Sequence, residues 1–395
     1  MERREFLAMS AALATVPSVL GQPQSNSALA GKDPRLKAIS TDPMVLETPD
    51  ELLAASRVTP ASALFVRNHH GAKPFHSMEP RPPAGNLDIS GLVRNPQSVP
   101  LQQLAKMEKT SVEMVLQCSG NFRSLFSKLA PCKGTQWGKG GVGNVVFSGV
   151  PIAALFKALN LAVDRKAEFI NAEGADQPEK PSQVDYEKSI PLDVALARGL
   201  LATELNGQPI PAVHGGPVRL VIPGYYGSMQ VKWLTRLRLE AAEATSYYQS
   251  TDYRTPKRLI KPGEAIAINP SNSTPASDMK INSRILFPSE GAMVKADAPF
   301  TAKGVAWNDG QAALTAVELS TDGGATWKSA TLGATESPYA FCEWSAPISF
   351  PAGRHELWAR AVDAFGRTQP LDGGLFWNPG GYAWNGVEKI TVTVG

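Results

Sequence analysis

The chain has 395 residues, 43% hydrophobic and 19% charged, a globular composition long enough for two or three domains. Its 39 basic and 36 acidic side chains leave a net charge of +3, which gives no basis for nucleic acid or a broad anionic membrane surface as partner. Glycine (34) and proline (32) are plentiful, so many turns and short strands are predicted rather than long helices. The three cysteines, Cys118, Cys132 and Cys342, cannot all pair within the chain. No CxxC, HExxH or CxxCH occurs, which removes zinc-ribbon, zincin and attached c-type haem readings.

The N-terminus, MERREFLAMSAALATVPSVLG, places Arg3 and Arg4 before Phe6, Leu7 and a short apolar run. We read residues 1–30 as a twin-arginine export signal, cleaved after Ala30 or earlier. The run is too short for a membrane span and Pro17 interrupts it. That route carries folded proteins, suits a cofactor inserted in the cytoplasm, and predicts a soluble periplasmic protein.

Residues 64–71, LFVRNHHG, read as a short strand running into Arg67, Asn68, His69 and His70. Adjacent histidines point apart in extended chain and make a poor chelating pair. A strand, a turn at Asn95-Pro96 and a short helix follow over Asn86–Leu104. In LQCSGNFR, Leu116 to Arg123, one cysteine occupies a polar turn with Arg123 close by. A nearby cation lowers a thiol pKa, and the thiolate is the form that ligates metal or attacks substrate. The plain alternative is a buried cysteine in a tight loop. The glycine-rich QWGKGGVGNVVFSG, with Trp137, lets backbone approach something closely, or is simply a loop. A helix is predicted from Pro151 with Ile152, Leu155, Phe156 and Leu159 on one face, and another helical turn from Pro191. Asn206-Gly207 signals a hairpin, and Val218, Leu220 and Ile222 alternate as in a strand. His214, Arg219 and Lys232 are candidates for one anion-binding wall; singly, each reads as a surface charge. Tyr253, in YYQSTDYR, reads as core or interface.

Residues 269–277, NPSNSTPAS, form a Pro/Ser/Asn-rich linker, which we extend to 279. Beyond it, over 280–395, short alternating strands predict an antiparallel sandwich of immunoglobulin type, with a hairpin at Asp322-Gly323-Gly324.

Taken together, LFVRNHHG, VLQCSGNFR, QWGKGGVGN, LNGQPIPAVHGGPVRLVIPGYYG with VKWL, and STDYR follow the order seen in the molybdenum sulfite oxidase family. GVAW, VELSTDGGATW, WARAVDAFGRTQP and FWNPGGYAWN look like that family's dimerisation domain. The chain resembles the bacterial sulfite dehydrogenases that lack a haem domain. The fold implied is α+β: a mixed α/β molybdopterin-binding domain over 31–268, then the immunoglobulin-like sandwich.

By this resemblance Cys118 is the thiolate ligand of molybdenum, beside a pyranopterin dithiolene and oxo groups, and no haem is expected. Arg67 and Arg123 fall at substrate-pocket arginines, a pattern suited to compact sulfur dianions. Tyr253 matches the tyrosine facing the reactive oxo group, and Trp137 a pocket tryptophan. His69, His214, Arg219 and Lys232 match positions that hold the pterin and its phosphate, with Asp176 and Ser189 as looser matches. The animal enzymes carry a further substrate arginine in a WN-x-R-G stretch; here Trp377-Asn378-Pro379-Gly380-Gly381 puts Gly380 in its place.

The expected function is molybdenum-dependent oxidation of sulfite to sulfate, with electrons passed singly to an external c-type cytochrome, by a homodimer. The rivals are a sulfane-sulfur dehydrogenase, slightly favoured by Gly380, an S-oxide reductase on the same fold, and an exported metal-free binding module. Cys132 and Cys342 are expected to be non-catalytic; a Cys118–Cys132 disulfide is the competing possibility in an oxidising compartment.

Overall fold

The computed structural model describes residues 29–69, 75–176, 178, 185–295 and 299–395. The twin-arginine reading therefore falls almost wholly outside the described residues, as does His70. Among the described residues no helix is long and apolar enough to cross a membrane.

Two five-stranded sheets build the N-terminal part. One orders Gln208–Pro209, Leu200–Leu205, Val142–Pro151 and Thr110–Gln117, with Arg219–Val221 also pairing with Leu200–Leu205. The other orders Gln97–Pro100, Asn86–Gly91, Leu234–Glu240, Phe169–Gly174 and Glu187–Pro191, antiparallel except where Asn86–Gly91 meets Leu234–Glu240. Short helices Leu101–Lys106, Ile152–Ala158 and Leu192–Arg198 each begin directly after a strand-ending proline. Proline suits that junction, because its fixed φ leads into a helical turn and its missing N–H deprives no ladder there. As predicted, Ile152, Leu155 and Phe156 point inward, joining Leu87, Ile89, Val218, Leu220 and Ile222 in one core.

The C-terminal sandwich packs a four-stranded sheet against a five-stranded one. Strands Cys342–Ile348 and Glu388–Val394 alternate buried and exposed residues, the period-2 pattern of a sheet with one covered face. Trp344, Leu357, Ala359, Ile390 and Val392 fill the space between the sheets. The two glycine hairpins form where read: Asn206 and Gly207 both take positive φ (53° and 74°), as do Gly323 and Gly324.

The segment read as a linker is pinned. Ser273–Pro275 pairs with Arg254–Pro256, and the buried Arg254 guanidinium donates to Ser273 O and Oγ, each at 2.9 Å. The two halves are also joined deeply. Trp307 Nε1 donates to Gln117 Oε1 at 2.8 Å, and Arg284 donates to Lys139 O at 2.6 Å and pairs with Asp50. A shared core holds Val115, Val142 and Tyr253 from one half with Val305, Trp307, Phe341 and Tyr382 from the other.

Candidate active site

Strand Thr110–Gln117 delivers Cys118 into a tight turn sealed by the glycine-rich loop. Cys118 N donates to Gly141 O (2.8 Å), Phe122 N to Gly138 O (2.7 Å), and Gly141 N to Asn121 Oδ1 (2.9 Å). The close approach expected of those glycines is made to the protein itself. The Glu47 carboxylate accepts from Gly138 N and Gly140 N, and a Cβ on Gly140 would strike the Thr48 carbonyl.

Cys118 lies on the wall of a cleft of about 680 Å³, mouth included, with Arg67, His69, Asp176, Tyr253, His214, Arg219 and Lys232. Eight of the residues singled out in the sequence, from segments spread between 67 and 253, thus face one space.

Three singled-out residues do not line that cleft. Ser189 is buried and committed elsewhere: its Oγ donates to Asn171 Oδ1 (2.6 Å) and accepts from Ala244 N (2.8 Å). Trp137 is fully buried behind Phe65, edge to face at 5.8 Å, with its indole N–H unpartnered. Arg123 is buried beside the cleft. Its Nε donates to Gly380 O and its Nη1 to Thr135 O, both at 2.8 Å, and its guanidinium lies 4.9 Å over the Tyr382 ring.

The position aligned with the family's further arginine is structurally occupied. A Cβ on Gly380 would come within 2.7 Å of Tyr382 Cδ2 and closer still to Cε2. Tyr382 donates its hydroxyl to Asp252 Oδ1 and packs on Tyr253 with ring centroids 5.0 Å apart. A tyrosine ring bonded to a carboxylate therefore packs against Gly380.

Two opposing effects act on the Cys118 thiol. Burial pushes the Cys118 thiol up; Arg123, and to a lesser degree Arg67, oppose it without winning. Arg123 alone does not make a thiolate here, whereas a coordinated metal deprotonates a thiol outright. Burial also raises the Tyr253 phenol, so its hydroxyl is a neutral donor or acceptor, and it meets His69 Nε2. His69 sits among tyrosines, 4.6 Å from the Tyr186 ring and 5.0 Å from that of Tyr248.

Around His214, burial and the charges of Lys32, Arg219 and Lys232 hold the imidazole pKa well down. Its Nε2 lies 2.7 Å from Lys32 Nζ and its carbonyl accepts from Arg219 Nη1 at 3.0 Å. Lys232 Nζ donates to Arg67 O (2.8 Å) and to Asn68 Oδ1. Burial lowers its pKa and lifts that of Asp176 to about 7, each partly countered by the other's charge. Arg219 Nε, Gln230 Oε1 and Ser228 Oγ line the cleft buried and unpartnered. Each such orphan costs about 1–3 kcal/mol until something bonds to it, the signature of a built polar site. A molybdopterin fits these residues: a thiol for the metal, donors and cations for a phosphate, and polar atoms awaiting a ring system.

Residues 75–248 match the family model for an oxidoreductase molybdopterin binding domain, and residues 273–394 that for a Mo-co oxidoreductase dimerisation domain. Chicken sulfite oxidase is 31% identical over 369 residues, covering 90% of this chain and 78% of that protein. The chain belongs to the molybdenum sulfite oxidase family. Mitochondrial sulfite oxidase of Drosophila melanogaster is 33% identical over 374 residues, 91% of this chain, which spans 63% of that relative's length. The sulfane dehydrogenase SoxCD of Paracoccus pantotrophus shares the fold, with a TM-score of 0.73 and 24% identity over 97% of this chain and 92% of that one. The sulfite oxidase-type α+β domain and the immunoglobulin-like dimerisation domain are thus the fold that the sequence predicted.

Sequence reasoning missed Gln230, Ser228 and Tyr186 at the cleft, Lys32 against His214, and Tyr382 beside it. Gln230 had a signal, since it stands two residues before Lys232 in the same segment. Lys32 had none: it meets His214 from 182 residues away.

Proposed function

We propose that this molybdenum oxidoreductase oxidises sulfite to sulfate, with water supplying the oxygen and two protons and two electrons leaving. The carrying observation is the convergence of Cys118, Arg67 and Tyr253 on one cleft that His214, Arg219 and Lys232 also line. The bound cofactor supplies oxygen transfer and two-electron chemistry; the chain supplies binding, orientation and charge. Cys118 would ligate the metal. His214, Arg219 and Lys232 would hold the pterin phosphate, and Gln230 and Ser228 would bond the ring system. Arg67 draws a small anion to the mouth through charge-assisted hydrogen bonds. Arg123, tied through Nε and Nη1, adds positive potential there. Tyr253 presents a neutral hydroxyl to the reacting oxygen, and His69 on that hydroxyl orients it.

A second reading, a sulfane-sulfur dehydrogenase, is favoured by Gly380 in the sequence place of the animal enzymes' further arginine, with the Tyr382 ring packed against it. Less positive charge there weakens selection for a dianion. Metal analysis with steady-state kinetics on sulfite and thiosulfate separates the readings. About one molybdenum per chain with sulfite preferred supports the first; thiosulfate preferred supports the second; no molybdenum sinks both. We further propose export by the twin-arginine route to the periplasm, homodimerisation through the C-terminal sandwich, and a separate c-type cytochrome as electron acceptor.

A further inference from the structure

Beneath Tyr253 lies a charge that the proposed chemistry does not use. Lys188, on strand Glu187–Pro191, is 0% exposed. Lysine is almost never fully buried unless paired, yet among the described residues no carboxylate lies within 4.0 Å of its Nζ. Its Nζ donates to Tyr248 O at 2.6 Å and stands 5.5 Å from the centre of the Tyr253 ring. Burial lowers its pKa to about 7, with Asp252 and Glu243 opposing and Arg254 assisting. Such a group is expensive to keep, and an apolar replacement of similar volume is commonly neutral or stabilising.

The strand carrying Lys188 clamps the segment that carries Tyr253. Ser189 Oγ accepts from Ala244 N (2.8 Å), Ser189 N donates to Gln249 Oε1 (3.2 Å), and Lys188 reaches the carbonyl of Tyr248. Tyr253 needs such restraint, because it sits at φ 55°, in the left-handed region disfavoured for a bulky residue. Two of these bonds are neutral and would suffice for a purely structural clamp. The third brings an ammonium to the face of the aromatic ring, where it attracts the ring quadrupole and draws electron density from the phenol oxygen.

We propose that Lys188 is the positioning residue of Tyr253, holding its ring and polarising its hydroxyl toward the cleft. The inference rests on the reading above, in which Tyr253 faces the reacting atoms.

The test compares Lys188→Met, Tyr253→Phe and the double variant as purified molybdenum-loaded enzyme with sulfite as substrate. Met fills the volume without the charge. We expect kcat to fall about tenfold in Lys188→Met while KM for sulfite stays near the wild-type value, since the lysine touches no substrate. The melting temperature at pH 7 should stay at or above wild type, separating lost positioning from lost folding. In the Tyr253→Phe background the lysine substitution should have no further effect on kcat. A wild-type kcat in Lys188→Met, or an undiminished effect in the double variant, overturns the proposal. If Tyr253→Phe itself turns over normally, the underlying reading of Tyr253 has failed instead. Should Lys188→Met not fold, Lys188→Gln is read in the same way. If neither folds, the lysine is structural and the proposal is wrong.

Discussion

Gly380→Ala tests whether the pocket departs from the animal enzymes by design of its packing. The added Cβ would sit within 2.7 Å of Tyr382 Cδ2, a separation that real contacts do not show. Either the backbone of 378–382 shifts, or the Tyr382 ring swings away. The first is an overpacking strain of about 1–3 kcal/mol. The second breaks the Tyr382–Asp252 hydrogen bond, worth about 1.5–3 kcal/mol for a charged acceptor. It also removes the Arg123 cation from the ring face, worth about 0.5–2 kcal/mol. The molecule takes the cheaper route, so we expect a loss of about 1–3 kcal/mol, seen as a fall of roughly 1–4 °C in melting temperature for a chain of this length. Turnover should fall too, because Tyr253 packs on Tyr382. Thermal melts of Gly380→Ala, Tyr382→Ala and the double variant measure this. With the ring gone, the alanine at 380 should cost almost nothing further. Gly380→Ala as stable as wild type, or a penalty that persists without the Tyr382 ring, would refute the reasoning.

Cys118→Ser should abolish sulfite oxidation while the apoprotein keeps its melting temperature, because a hydroxyl is a poor metal ligand and the turn is held by backbone bonds; near wild-type turnover would contradict metal ligation. Arg67→Gln should raise KM for sulfite about ten- to a hundredfold, from a charge-assisted contact of roughly 1.5–3 kcal/mol. Arg123→Gln should lower stability as well as affinity, because it loses bonds to Gly380 O and Thr135 O; unchanged melting would show that those bonds carry little. The buried Lys188 has a folded pKa of about 7, below its unfolded 10.5. Its unfolded state therefore binds more protons between those values, and its contribution to stability should grow as pH rises from about 7 to 10. Lys188→Met should remove that part of the slope in pH-dependent unfolding. Sedimentation at low concentration should give a dimer, and a fully active monomer would show the dimer to be dispensable.

Much of this protein was legible along the chain because its signals are local. Period-2 alternation, Asn-Gly and Asp-Gly-Gly turns and strand-ending prolines act over a few residues, and each formed the element it predicts. The order of the motifs around Cys118, His214 and Tyr253 was equally readable, since order survives any folding. What the sequence could not decide was which polar groups find each other. Ser189 reads like a cofactor ligand, but tertiary packing spends its hydroxyl on Asn171 and Ala244. Arg123 reads by resemblance as a substrate-pocket arginine, and only the fold shows the carbonyls of Thr135 and the distant Gly380 holding two of its nitrogens. Its charge lowers the Cys118 pKa, as read, but desolvation, which depends on how deeply the turn is buried, outweighs it. Gly380 looks like a missing charge in the sequence. Only the fold shows the Tyr382 ring against it, because hydrogen bonding and burial are set by three-dimensional proximity rather than by residue type or spacing.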